Sequence, residues 1–208
     1  MEHFLEGVAG LCCLGLFIYK WIIIIAILIT WVNADPHNQI VIFINRITRP
    51  LWVWCEHRIP VMWAHFSAYI SILLVIFSQV VLPASLLSLN LFIFGDSDLS
   101  DLLNQNFGHV LQGGSIVAQS ALYFFIFILV VWFVLGILNS SINNPIVRVI
   151  HFLVDPVITP IQRYIPRSKI DWSPVVGILF FYFVNTQIVS PIGEYGMGLS
   201  FPVTICTY

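Results

Sequence analysis

Residues 144–166 read NPIVRVIHFLVDPVITPIQRYIP, and residues 38–60 read NQIVIFINRITRPLWVWCEHRIP. Each sets arginine and proline into a run of Ile, Val and Phe, and each ends in Ile-Pro. A simple membrane span does not fit, because arginine is costly in hydrocarbon and interior proline removes a helix hydrogen bond. An ordinary loop does not fit either, because large apolar residues dominate. What these segments are, and why one chain has two of them, decides the fold.

A displacement of 106 positions aligns the two segments and their surroundings. Asn33 meets Asn139, Asn38 meets Asn144, and Ile40-Val41 meets Ile146-Val147. Pro50 meets Pro156, Ile59-Pro60 meets Ile165-Pro166, Ser67 meets Ser173, Leu73 meets Leu179 and Phe77 meets Phe183. The pattern reads as an internal repeat. Each unit is a span, an amphipathic segment and a second span. Two spans per unit return the chain to its starting side, so the copies are parallel rather than inverted.

Composition places the units in a membrane. Of 208 residues, 59% are apolar and 9% charged, where soluble domains carry about a quarter charged residues. A spanning helix needs about 20 mostly apolar residues. Four stretches supply them: about 10–32, about 61–82 with an apolar continuation to Phe94, about 116–138, and about 174–192. Pro83 is expected to kink or stop the second. MEHFLEG at the start has no basic region, so no removable signal peptide is read there.

Basic residues set the orientation. Arg46, Arg49 and Arg58 lie between spans one and two, and Arg148, Arg163, Arg167 and Lys169 between spans three and four. Residues 95–115 have no Lys or Arg but carry Asp96, Asp98 and Asp101. Lys- and Arg-rich short loops stay cytoplasmic. The basic segments are therefore expected in the cytoplasm, with both termini and the acidic loop on the other side.

The expected architecture is an all-α membrane protein of four transmembrane helices. A first repeat covers 1–94 with interfacial helices at 37–59; a loop covers 95–115; a second repeat covers 116–208 with interfacial helices at 144–166. Asn144-Pro145 and Asp155-Pro156 each put a capping residue before a proline suited to a first helical turn. This predicts two short helices with a break. Such helices lie in the membrane interface, where the seven basic residues between the spans meet lipid headgroups. Trp52, Trp54 and Trp63 suit that depth.

These residues resemble the YggT family of small bacterial and plastid membrane proteins. WVNADPHNQIV at 31–41 and INRITRPLWVWCEHRIP at 44–60 are similar to its signature, and residues 144–174, including Asp171 and Ser173-Pro174, match more closely. Thr30, Ala34, Gln39, Arg49 and Trp54 depart from it in the first copy, and residues 137–143 of the second lack its Asp-Pro element. The resemblance covers roughly 10–80 and 116–190 and implies a bacterial inner-membrane protein. It also implies a role in assembling or maintaining membrane complexes, with osmotic stress, division and cytochrome maturation associated with members.

Candidate chemistry is sparse. Lys20 lies near the middle of the first span, where a charge needs a partner, water or an interface. It reads as an ion-path or partner-pairing residue, or as the snorkelling lysine of a tilted span. His3, His37, His57, His65, His109 and His151 show no shared helical spacing for a metal face; His57 and His65 flank the second span. Cys12, Cys13, Cys55 and Cys206 form no C-x-x-C pair, and no disulfide framework is read. Asp155 reads as a helix cap, Asp171 as a cap or turn, and Gly113-Gly114 as a turn. Ser67, Ser71 and Ser78 share one face of the second span and are expected to admit a partner helix closely, as are Gly10 and Gly15.

No nucleophile–base pair, carboxylate pair or phosphate loop appears, so no enzyme, cofactor, metal, nucleic acid or small-molecule substrate is expected. The expected function is that of a scaffold, accessory subunit or assembly factor, with membrane lipids and other integral membrane proteins as partners. The rival is a channel or transporter in osmotic or ion balance, which needs polar side chains along a continuous path.

Overall fold

The computed structural model describes residues 2–32, 34–60, 66–95, 97–138, 145–163 and 171–200. The elements in order are α1 (Glu2–Val32), α2 (Gln39–Arg58), α3 (Ser67–Phe94), α4 (Leu99–Ile137), α5 (Pro145–Gln162) and α6 (Ser173–Val184). A π-helical segment (Asn185–Val189) leads without a break into α7 (Ser190–Leu199). No strand occurs among the described residues. Four stretches are long and apolar enough to cross a membrane: Phe4–Val32, Ser67–Phe94, Leu99–Ile137 and Ser173–Leu199. The chain is a multi-pass helical membrane protein. Two compact units compose it, Met1–Val117 with Ile192–Tyr208, and Ala118–Pro191.

In the first unit α1 packs along α3, and α2 packs on both. The buried positions of α1 include Ala9, Cys13, Ile23 and Ala26; small residues such as Ala9 and Ala26 let membrane helices approach closely. Asn38 opens α2, its Oδ1 accepting the Ile40 amide at 2.9 Å, which satisfies one donor of the first turn. Val41, Ile44, Thr48 and Cys55 form the buried stripe of α2. The helix pair expected over 37–59 is one continuous helix that runs through Pro50. An interior proline costs about 3 kcal/mol, and packing of the stripe on both sides of Pro50 outweighs it.

α3 likewise runs through Pro83 to Phe94 and does not stop there. Its buried face repeats every fourth residue, Ser67, Ser71, Val75, Gln79 and Pro83, so the proline sits inside a packed seam. Residues 95–115, expected as a loop, are mostly helix, since α4 begins at Leu99. At about 1.5 Å per residue α4 is about 58 Å long, against a hydrocarbon core of about 30 Å. The acids are confined to its start. Beyond them the helix lies against α3, where the Ser88 hydroxyl donates to Asn106 Oδ1 at 3.3 Å. Gly113 meets Val81 and Phe77 so closely that a Cβ would stand 2.8 Å from Val81 Cγ2. Gly113-Gly114 is therefore helix rather than turn; at Gly113 the missing side chain allows the crossing.

In the second unit α5 packs on α6. α5 is one helix through Asp155-Pro156, which corrects the broken pair expected over 144–166. Its buried residues Val147, Ile150, Leu153, Val154 and Ile158 lie on both sides of Pro156 and hold the two stretches in one register. Asp155 is an exposed interior residue that accepts from Thr159 Oγ1 at 3.2 Å, not a cap. α4, α5 and α6 meet at Gly177, where a Cβ would lie 3.1 Å from Leu129 Cδ1 and 3.5 Å from Ile161 Cδ1. Trp132 and His151 meet edge to face at 5.1 Å.

Candidate functional site

Among the described residues each polar group is placed in its own unit. In the first, Ser71 is 0% exposed. Its hydroxyl donates to the Ser67 carbonyl at 2.7 Å and reaches Cys55 Sγ at 3.3 Å. Ser67 Oγ donates to Glu56 Oε1 at 3.3 Å. The surface that Ser67 and Ser71 were expected to offer a partner is covered by the chain's own α2. Ser78 is half-buried. Nearby, Tyr19 donates to the Ile47 carbonyl at 3.4 Å, and Trp31 Nε1 to Tyr69 at 2.8 Å.

Farther along this unit α4 and α7 cross with backbones in contact. A Cβ on Gly196 would lie 2.8 Å from the Gly108 carbonyl, and one on Gly193 would overlap the Ser115 hydroxyl. His109 is 1% exposed at this crossing, and its Nδ1 has no hydrogen-bond partner. His109 falls in the stretch read from the sequence as an acidic loop, which gave no signal of this burial.

The first span's charge, Lys20, sits half-buried with Nζ 5.0 Å from the Phe17 ring centroid; the ring face supplies a cation–π contact where a bare charge would be costly. The arginines of α2, Arg46, Arg49 and Arg58, are exposed, and Arg58 lies over the Trp54 ring at 4.9 Å. Arg163 is exposed beyond α5, and Arg148 belongs to α5. Arg167, Lys169, Asn144, Trp63, His65 and Cys206 lie outside the described residues. His57 pairs with the Val53 carbonyl at 2.7 Å, and His37 with Asp35 at 3.2 Å. Among the described residues no group of His, Cys, Asp and Glu is placed to hold a metal. Cys12 and Cys55 are free thiols.

In the second unit the π-helical segment turns Asn185 inward. Asn185 is buried and donates from Nδ2 to the Tyr123 hydroxyl at 3.0 Å, while its Oδ1 has no partner. Single π turns within α-helices often mark functional positions. Asn185, Thr186 and Gln187 interrupt the apolar run of the fourth span, and a polar residue inside an apolar run was the available signal.

Asp171 organises the entry to α6. It accepts the Ser173 amide at 2.9 Å and Gln162 Nε2 at 2.7 Å, which makes it the turn expected in Asp-Trp-Ser-Pro. Burial works to raise this carboxyl, but the bonds from Ser173 and Gln162 outweigh it and hold it below the usual carboxylate range. A lowered folded value stabilises above the ordinary carboxylate range and is lost as pH falls through the folded value. Replacing Asp171 by alanine is expected to lower thermal stability at neutral pH and to flatten its acid limb. Two melting curves that stay parallel down to low pH would contradict this.

Residues 112–192 match the family model described as CCB3/YggT. That stretch is similar to the CCB3/YggT family. The matched stretch takes in α5, α6, the π-helical segment and the apolar part of α4. Residues 1–111 lie outside it. No curated protein and no solved structure matches the chain.

Proposed function

We propose that this protein works by stable contact with other integral membrane proteins, as a scaffold, accessory subunit or assembly factor. The observation that carries the reading is the outer face of α1. Gly7, Gly10 and Gly15 are exposed, and a Cβ at any of them would meet nothing within 4 Å. Membrane helices associate where small residues let backbones approach, and here such residues stand open on a helix otherwise faced with Leu11, Leu14, Ile18 and Trp21.

The proposal includes the tandem repeat. Buried positions recur at the displacement of 106: Val41 and Val147, Ile44 and Ile150, Thr48 and Val154, Ser67 and Ser173, Gln79 and Asn185. Ser71 in one unit corresponds to Gly177 in the other, each at a close helix contact. This supports reading the first half as a diverged copy of the matched domain.

The orientation we propose is the one set by the basic residues, with Asn38 cytoplasmic and Asp98 outside, in a bacterial inner membrane. Labelling of single cysteines at these positions should occur from opposite sides; position 98 reacting only from the cytoplasm would reverse it.

Contact is tested by affinity purification in mild detergent with mass spectrometry. A membrane protein should be retained near stoichiometry and lost on Gly7→Leu with Gly10→Leu. Robust ion flux through the purified protein alone, abolished by Lys20→Leu, would instead favour a channel.

A further inference from the structure

α2 carries an outward face that its packing in the unit does not use. Going round the helix at about 100° per residue, Phe43, Pro50 and Trp54 fall within about 40° of one another. Arg46, Arg49 and Val53 fall on the adjoining strip, and Val41, Ile44, Thr48 and Cys55 on the opposite, buried side. Phe43 is 63% and Trp54 47% exposed. We infer that this face is a binding surface for anionic phospholipid, with Arg46, Arg49 and Arg58 on lipid phosphates and Phe43, Pro50 and Trp54 among the upper acyl carbons.

Three observations select a lipid surface. The first is depth. Pro50 has no N–H to give the Arg46 carbonyl four residues back, and a carbonyl without its donor costs several kcal/mol in hydrocarbon. Pro83 of α3 lies in a packed seam, but Pro50 is exposed with no neighbouring helix among the described residues over it, so on this face water or headgroups meet the freed carbonyl, while the aromatic residues suit an apolar neighbour. Only the interface meets both needs, and tryptophan is enriched there. The second is connection. α1 ends at Val32 and α2 starts at Gln39, so the short link keeps α2 at the end of a membrane span. The third is charge. Glu56, the acidic residue of α2, accepts from Ser67 of α3. At about 100° per residue Arg46, Arg49 and His57 fall on the outward strip beside Glu56, and Arg58 falls on the far side of Trp54; three guanidinium groups against one carboxylate suit phosphate oxygens. Arg58 lies over the Trp54 ring, which ties one cation to the aromatic depth marker.

The test is hydrogen exchange of the full-length purified protein in nanodiscs, with phosphatidylcholine alone or with a third of the lipid as phosphatidylglycerol. Amides of α2 should exchange more slowly in the anionic discs, and raised salt should remove the difference, because surface charge is screened. Arg46→Gln with Arg49→Gln should reduce it by about fivefold per arginine, whereas Arg46→Lys with Arg49→Lys should keep most of it. Equal exchange of wild-type α2 in the two discs overturns the proposal. So does an undiminished difference in the glutamine variant, or loss of the difference in the lysine variant while α1 and α3 keep their protection. If α2 is protected only when other membrane proteins are added, the face belongs to a protein partner and the lipid assignment is wrong.

Discussion

Replacing Gly196 with leucine is expected to detach α7 from α4 and to be among the most destabilising single changes in the first unit. A Cβ there would stand 2.8 Å from the Gly108 carbonyl, 2.9 Å from the Gln112 amide nitrogen and 3.0 Å from Leu111 Cβ. Two of the three neighbours are backbone, so relief requires helix movement rather than a rotamer change. Overpacking of well-fitted sites costs about 1–3 kcal/mol, and leucine at this crossing belongs at the upper end, about 3 kcal/mol. Gly198 is the control two residues away, because a Cβ there meets nothing. Gly198→Ala should be neutral or stabilise by up to about 1 kcal/mol, since alanine is the better helix former. Denaturant or thermal unfolding in detergent reads both. Equal stabilities for Gly196→Leu and Gly198→Ala would show that α4 and α7 do not meet through these glycines.

Ser71→Leu is expected to part α2 from α3 inside the protein. Ser71 has no exposed surface and sits within 3.3 Å of Cys55 Sγ. The leucine adds several carbon atoms where there is no room, at a cost of about 2–3 kcal/mol. Ser71→Ala removes only the hydroxyl bonds and should cost about 1 kcal/mol or less. Cys55 is the reporter. It is buried and free, so its thiol should react slowly in the parent and fast in Ser71→Leu, measured with Cys12 replaced by serine. Unchanged Cys55 reactivity together with loss of a co-purifying membrane protein would mean that Ser71 faces a partner after all.

Much of the fold was readable because a membrane allows so few structures. Apolar runs locate the four spans, and the mixture of arginine with apolar residues in 38–60 and 144–166 locates α2 and α5. The errors share one cause, which is packing between segments distant in sequence. Pro50, Pro83 and Pro156 read locally as breaks, yet each lies in a helix whose buried stripe continues past it. The three acids near Asp98 mark a loop by charge, but the helix resumes at Leu99 because Gly113 and Asn106 fit against α3. Ser67 and Ser71 share a helix face, as their spacing indicates; which neighbour covers that face is not a property of spacing. Asn185 stands as a polar residue in an apolar run and His109 in the stretch read as a loop, but their burial depends on Tyr123 in one unit and on the Gly108–Gly196 crossing in the other.

The contact role is tested most directly by a photo-crosslinking residue at Gly10, activated in intact membranes before any detergent is added. Gly10 faces outward with nothing within 4 Å of a Cβ, so the probe reports what lies against α1. The expected result is a discrete crosslinked band containing a second integral membrane protein, absent when the probe is moved to the buried position Ala26. Crosslinks to lipid alone would contradict the proposal that this protein acts by holding a membrane partner.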